Sequence, residues 1–544
     1  SVTDASLVNY TPAGTGAVVT TVQAKLREFV SIEDFGAIGD STGVSGNGTD
    51  NTVFIQNAIN YASANSMILK MGSGTFRITA PLDFAGTTNK YSFEGVSNLQ
   101  TIIFADFTSS TPRAALSLGN LVGTRAYVRF KDFYLKGVND PNTSGIYCNW
   151  TSSFTELNNI LVLYFYDGIV ISNDYYTKLV NVQSNYNLNR GVAIGYEIDR
   201  TTVAASNNLM FLGGDFSGNQ VGIYVRGCAS LGLIQTASEG NHTHQVWLDY
   251  CSGVSFSGVY LERNTALSGT SVAQVYATNC EGISINGMTV TAFAQDSTPI
   301  LYFSSCNGVN VSGLSVNTTG GPFNAIAIRL NSSFGVSVNT SYISDCSVGI
   351  YLDAASRVSV RDVTFANYTY PLYAVSASSA IYWSQATPAF VAASYILSPC
   401  STDIHYIDNT KLQVDETKVF NVSVAFSDLS SAGFKNLITH TLTTERWRIS
   451  NIVIVNLTGF NAGGDRLISI TDGTSTFTAI PAASLKVGSK QAAWGSADVP
   501  FSAVPSDMLQ PTVAASNLKA IYSGGTTDYT SGDINFTITA MRTA

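Results

Sequence analysis

Asp215, Glu239 and Glu262 are the residues whose types and placement fit acid-base chemistry on a glycosidic bond. Glycoside hydrolysis needs one carboxyl group as acid and another as nucleophile or base, about 5–5.5 Å apart for retention of configuration or about 6.5–9.5 Å for inversion. Crowding supplies the second requirement, because a neighbouring negative charge raises a carboxyl pKa toward the range in which an acid works near neutrality. Separated in sequence, the three become neighbours only if the chain is wound so that each falls on a successive turn. The plainer alternative is that Glu at a strand end ties down a turn.

The winding is written in a frame of apolar residues at positions 0, +2, +5 and +7. Val254, Phe256, Val259 and Leu261 fill it, as do Ile283, Ile285, Met288 and Val290, then Val309, Val311, Leu314 and Val316. Val358, Val360, Val363 and Phe365 repeat it, and so do Val128, Phe130, Phe133 and Leu135. Weaker copies start at Thr155, Thr177, Leu209, Leu231 and Val336, giving ten turns 22 to 32 residues apart. A further apolar pair stands at −8 and −6, for example Val246/Leu248 and Leu301/Phe303. Spacing by two puts side chains on one face of an extended strand, whereas a helix needs spacings of three and four. One turn cannot bury its own inner face, so the turns must stack. Three strands per turn and no helical segment predict a three-sided parallel β-helix and argue against leucine-rich, ankyrin or tetratricopeptide repeats. Glycine recurs at −1 and +4, where the chain must bend.

The frame also sets directions. Since +5 and +7 point inward, +6 and +8 point outward. Glu239 and Glu262 both occupy +8 in consecutive turns, and Asp215 occupies +6 in the turn before. Neighbouring strands lie about 4.8 Å apart, so the two glutamates are expected side by side. Length varies between turns almost entirely after +8, which puts the carboxylates where a rigid scaffold meets variable loops, a common place for a site.

Other residues near this frame could meet a sugar. Tyr260, at +6 beside Glu262, offers a ring for stacking. Arg263 follows Glu262 and has the planar fork that suits an acidic sugar's carboxylate, a salt bridge being the alternative. His242, with His244, lies in the loop after Glu239 as a hydrogen-bond donor to substrate. Tyr224, Trp247, Tyr276 and Tyr302, with Tyr351 further on, form an outward ladder at −7 that fits either sugar stacking or packing between subunits. Arg226 and Asp249 share −5 and read mainly as an ion pair, with Arg226 also a substrate contact. Four histidines in the whole chain give no basis for a zinc site, and no metal or other cofactor is expected. Cys228, Cys251, Cys280 and Cys306 all fall at −3, where small buried hydrophobes are expected in preference to disulfides.

Charged residues make up 12% of the chain and the formal net charge is −9, which leaves no basic footprint for nucleic acid. No apolar run reaches transmembrane length and no secretory signal opens the sequence. Ser1 in place of Met suggests a fragment. The expected organisation is a linker or attachment segment over 1–30, a cap with first turns over 31–120, a catalytic β-helix over 121–375 and a connector over 376–410. Period-two strands such as 420–424, 447–455, 467–470 and 534–538 predict an antiparallel β-sandwich over 411–544.

The cap region carries Asp34-Phe35-Gly36-Ala37, Gly39-Asp40, Thr49-Asp50 and the amphipathic Ile55-Gln56-Asn57-Ala58-Ile59, with Phe76 where Tyr is usual and a longer loop between Asp40 and Asp50. This series resembles the N-terminal cap of the pectate-lyase-like right-handed β-helix superfamily, especially the phage tailspike depolymerases, with an Acinetobacter phage as one source. The resemblance implies an all-β fold, a homotrimer, and a C-terminal domain that trimerises the shaft or binds sugar. It implies attachment to a phage baseplate or tail through a missing N-terminal segment, folding in the bacterial cytoplasm and action outside the host cell. In that setting the repeat and the carboxylates lead to the expected activity, endo-hydrolysis of a bacterial capsular or other surface polysaccharide. A lyase acting by β-elimination and a non-catalytic glycan-binding adhesin are the alternatives.

Overall fold

The computed structural model describes residues 4–84, 91–118, 128–151, 155–263, 273–293, 298–319, 325–375 and 379–384, and beyond them a set of strands between 396 and 543. The middle repeats of the frame each become three short strands, while at the turns starting at Val128 and Thr155 two of them merge, as Val128–Lys136 and Glu156–Leu163. For the turn starting at Val254 these are His244–Asp249, Ser252–Ser257 and Tyr260–Glu262. Every one pairs in parallel with its counterpart a turn away. Leu233, Phe256, Ile285, Val311, Val338 and Val360 thus form one inward column, partner to partner, and all are fully buried. Burial of a side chain of this size is worth about 1.5–3 kcal/mol. Repetition at each turn makes the column the spine of the core.

The bends are as regular as the strands. At +4 all ten residues, from Asp132 to Asp362, have φ between 44° and 68°. Left-handed backbone costs an ordinary residue roughly 1–2 kcal/mol, and the chain meets it with Gly258, Gly287 and Gly313 or with Asp132, Asn159 and Asn181. Gln235 and Thr340 take the same conformation at φ 51° and 44° without either device.

The cap helix forms at Thr52–Asn65 and buries Ile55, Ala58, Ile59 and Ala62 on one face. Asn51 is its N-cap residue, yet the Thr52 amide is received by Asp50 Oδ1 at 3.0 Å. The long loop after Asp40 is latched to Asp106, which accepts hydrogen bonds from Ser45 Oγ at 2.5 Å, Gly46 N at 2.7 Å and Arg77 Nε at 2.7 Å. Before the cap, the expected linker or attachment segment contains a strand pair, Asn9–Tyr10 with Thr20–Thr21, and a short helix, Val22–Leu26. Cys228, Cys251, Cys280 and Cys306 are buried and free, like Cys148 and Cys346.

A second unit contains most of the chain after residue 402. Its strands make two four-stranded antiparallel sheets. One contains Thr417–Ala425, Asp533–Thr543, Arg446–Thr458 and Gln491–Ala492; the other contains Phe434–Ile438, Leu518–Ser523, Leu467–Thr471 and Thr476–Pro481. The connector expected over 376–410 lies largely outside the described residues. Among the described residues, no helix is long and apolar enough to cross a membrane.

Candidate active site

Glu239 and Glu262 are direct partners in the parallel register. Asp215 pairs with Ala237 one turn above Tyr260, which sets it on the same outward side, two residues before the glutamate column. The structure therefore brings together Asp215, Glu239, Glu262 and Tyr260, the last donating its hydroxyl hydrogen to Glu262 Oε2.

Two residues that went unnoticed in the sequence hold this group. Asn185 and Ser217 stand at +8 in the two turns preceding Glu239. Asn185 Nδ2 donates to Asp215 Oδ2 at 2.8 Å, while Asn185 Oδ1 accepts the Ser217 amide at 2.8 Å. Ser217 Oγ donates to Asp215 and accepts the backbone N–H of Glu239 at 3.0 Å. Asp215 is thus oriented by two donors and linked through one hydroxyl to the strand that carries Glu239.

Beneath the corner that follows, Asn187, Asn219 and Asn241, all at +10, form a buried ladder. Asn219 Oδ1 accepts the Asn187 amide and Asn241 Oδ1 accepts the Asn219 amide, each at 2.8 Å. Buried side chains that satisfy the backbone of the next turn fix the angle at which each strand leaves the corner. The carboxylates consequently sit on a scaffold locked from inside.

The electrostatics divide the carboxyls. Partial burial pushes the Glu239 pKa up, and the negative charges of Asp215 and Glu262 push it further in the same direction. Tyr260 is also raised, first through its hydrogen bond to Glu262. Glu239 is therefore the member of the group best suited to hold a proton. Among the described residues, no group of three or more His, Cys, Asp or Glu side chains could hold a metal ion.

The remaining expected contacts lie elsewhere. Arg263 is 3% exposed, so it does not lie open on the surface beside Glu262. It lies near His244, a buried imidazole pushed down to about 4 by desolvation, with the Arg263 charge acting in the same direction. His242 is exposed at the corner and its backbone N–H is taken by Asn219 O at 2.9 Å. Tyr224, expected to offer an outward ring, is only 4% exposed, because Tyr196 from a neighbouring loop stacks on it at 5.6 Å. Trp247 is half-buried against it, edge to face at 5.1 Å. Arg226 pairs with Asp249 at 3.4 Å. Tyr224 and Arg226 lie on the strand Val221–Arg226 and Trp247 on His244–Asp249, across the corners from the carboxylates.

The architecture defined by these elements is a parallel β-helix with an N-terminal cap helix. No protein-family model and no curated protein matches the chain. Among solved structures it is similar to bacteriophage CBA120 tailspike protein 3, with 16% identity and a TM-score of 0.53 over 74% of this chain, spanning 65% of that one. It is also similar to the Dettilon tailspike protein, with 10% identity and a TM-score of 0.54 over 96% of this chain and 95% of the other. At such identities the likeness is one of fold.

Proposed function

We propose that the chain is a phage tailspike depolymerase that binds a bacterial surface polysaccharide and cleaves it internally by hydrolysis. The observation that carries this reading is the in-register pair Glu239 and Glu262, with Asp215 on the turn above and a raised pKa on Glu239. Both fold neighbours being tailspikes supports the biological setting: a homotrimeric virion component working outside the host cell, with residues 121–375 as the catalytic domain.

In the proposed reaction Glu239 donates its proton to the leaving glycosidic oxygen as the bond to the anomeric carbon breaks. Glu262, oriented by the hydrogen bond from the Tyr260 hydroxyl, attacks that carbon. Strand spacing of about 4.8 Å favours this retaining arrangement over one with a water held between the carboxylates. Water then displaces Glu262, its proton passing to Glu239. Asp215 acts on Glu239 through its charge and through Ser217.

The test is incubation with capsular polysaccharides from a panel of strains, with product size, reducing ends and absorbance near 235 nm followed together. Shortened chains with new reducing ends and no absorbance are the expected result. Absorbance from an unsaturated product would identify a lyase, and stable binding without shortening would identify an adhesin. Glu239→Gln and Glu262→Gln are each expected to lose about 10²–10⁴-fold in rate. Normal cleavage by both variants would overturn the site assignment.

A further inference from the structure

A second constellation lies across the corner from the carboxylates, and the proposed reaction uses none of it. Residues 195–204 leave the strand Arg190–Ile194 as a loop closed by an antiparallel bridge between Tyr196 and Val203 and by Glu197 N donating to Thr202 O at 2.9 Å. It is anchored on three sides. Glu197 accepts hydrogen bonds from the Tyr147 hydroxyl, from Asn173 Nδ2 at 2.7 Å and from Asn149 Nδ2 at 3.4 Å. Arg200 lies 3.7 Å from the centre of the Tyr166 ring and donates to Pro141 O at 2.8 Å. Asp199 accepts the amides of Thr201 and Thr202, each at 2.9 Å.

The product of this anchoring is the placement of Tyr196. Its ring stacks on Tyr224, and its hydroxyl lies 3.1 Å from that of Tyr224 while accepting Arg226 Nη1 at 2.7 Å. The guanidinium carbons of Arg190 and Arg226 lie 5.4 and 5.6 Å from the centre of the Tyr196 ring. Arg190 also lies 4.3 Å from the Tyr224 ring, and Arg226 5.9 Å from that of Tyr250.

The acids nearby are engaged in part with other groups. Asp249 engages Arg226 at 3.4 Å. Asp167, the register partner of Arg190, is buried and accepts a hydrogen bond from Asn189 Nδ2 at 2.9 Å. Glu197 is turned toward Tyr147 and Asn173. On a chain of net charge −9, two arginines brought onto one phenol by a braced loop make a local attraction for anions. Beside them Tyr250 leaves 60% of its surface exposed.

We propose that Arg190, Arg226, Tyr196 and Tyr250 form a binding subsite for a carboxylate-bearing sugar, the guanidiniums meeting the carboxylate and the exposed aromatic ring taking the face of the sugar. Arginine presents paired donors at the spacing of carboxylate oxygens, and an aromatic ring covers the C–H face of a pyranose while leaving its hydroxyls to water. The subsite is separate from Asp215, Glu239 and Glu262 and holds whether or not cleavage occurs there.

The test uses the full chain and simple probes: the methyl glycosides of glucuronate, galacturonate and N-acetylneuraminate, with methyl glucoside and methyl galactoside as neutral controls, read by saturation-transfer NMR. At least one acidic probe is expected to bind in the millimolar range, with its neutral counterpart much weaker and with affinity falling as salt is raised. Arg190→Gln and Arg226→Gln should each weaken binding about tenfold or more. Arg190→Lys should recover part of the loss, and Glu239→Gln with Glu262→Gln should change nothing. Melting curves establish that each variant is folded, and Arg226→Gln carries the test if Arg190→Gln is not. Failure of all three acidic probes to bind, equal binding of neutral probes, retention of binding in both arginine variants, or loss of binding in the glutamate variants would each overturn the proposal.

Discussion

Asp174 makes the stability of the β-helix depend on pH in a direction opposite to that of most carboxylates. It stands at −3 of the turn starting at Thr177, the inner position that later turns fill with cysteine, and it is fully buried. Desolvation pushes its pKa up to about 6, against hydrogen bonds from the hydroxyls of Thr151, at 2.6 and 2.7 Å, and Thr177, at 2.7 Å. In the unfolded chain the same carboxyl titrates near 3.8. Between those values the folded protein keeps a proton that the unfolded chain releases, so this stabilisation is complete below 3.8 and is lost as pH rises through 6. The linked free energy is roughly 3 kcal/mol. Asp174→Asn is nearly isosteric and does not titrate; it gives up about 1 kcal/mol of hydrogen bonding, because its amide faces hydroxyls that donate. Guanidinium unfolding at a series of pH values is the assay. Relative to the parent, the variant should be the less stable protein near pH 4 and the more stable one near pH 7, with the difference between the two moving by roughly 3 kcal/mol. Asp167, buried and shifted in the same direction, contributes equally to both proteins and drops out. Parallel pH profiles would refute the reasoning.

Other outcomes follow from the same geometry. Phe256→Ala removes a fully buried ring from the inward column and should cost about 3–5 kcal/mol in chemical denaturation. Thr340→Gly relieves a β-branched residue held at φ 44° on the surface and should stabilise by about 1 kcal/mol. Asp215→Asn removes one of the charges that raise Glu239. Since the proposed reaction needs Glu239 protonated, the alkaline limb of its pH-rate profile should move to lower pH, and an unmoved limb would separate Asp215 from the acid.

The solenoid was legible because inward and outward alternate strictly along a strand. Once Val254, Phe256, Val259 and Leu261 mark the inside, the register of Glu239 with Glu262 follows without any knowledge of loops. The strand ends at Glu262, so the alternation does not extend to Arg263, whose burial the frame leaves open. Asn185, Ser217 and the ladder of Asn187, Asn219 and Asn241 also lie on frame positions, +8 and +10, but polar residues leave no hydrophobic signature to draw the eye. The loop at 195–204 was illegible for a different reason. What positions Tyr196 is the hold of Tyr147 and Asn173 on Glu197, contacts between residues far apart in the chain with no period to announce them. Tyr224 was misjudged for the same reason, since the ring that covers it comes from that loop.

The six cysteines among the described residues, all buried, turn the shaft into its own gauge of opening. Each thiol is shielded from solvent by the turns around it, and together they are distributed along the stack from Cys148 to Cys346. A cysteine-bearing turn that frays exposes its own sulfur and no other. Brief treatment with an alkylating reagent, followed by peptide mapping, would therefore convert each cysteine into a dated mark of when its stretch came apart. Loss from the capped end, loss from the far end, and all-at-once collapse would each leave a different order of marks along the chain.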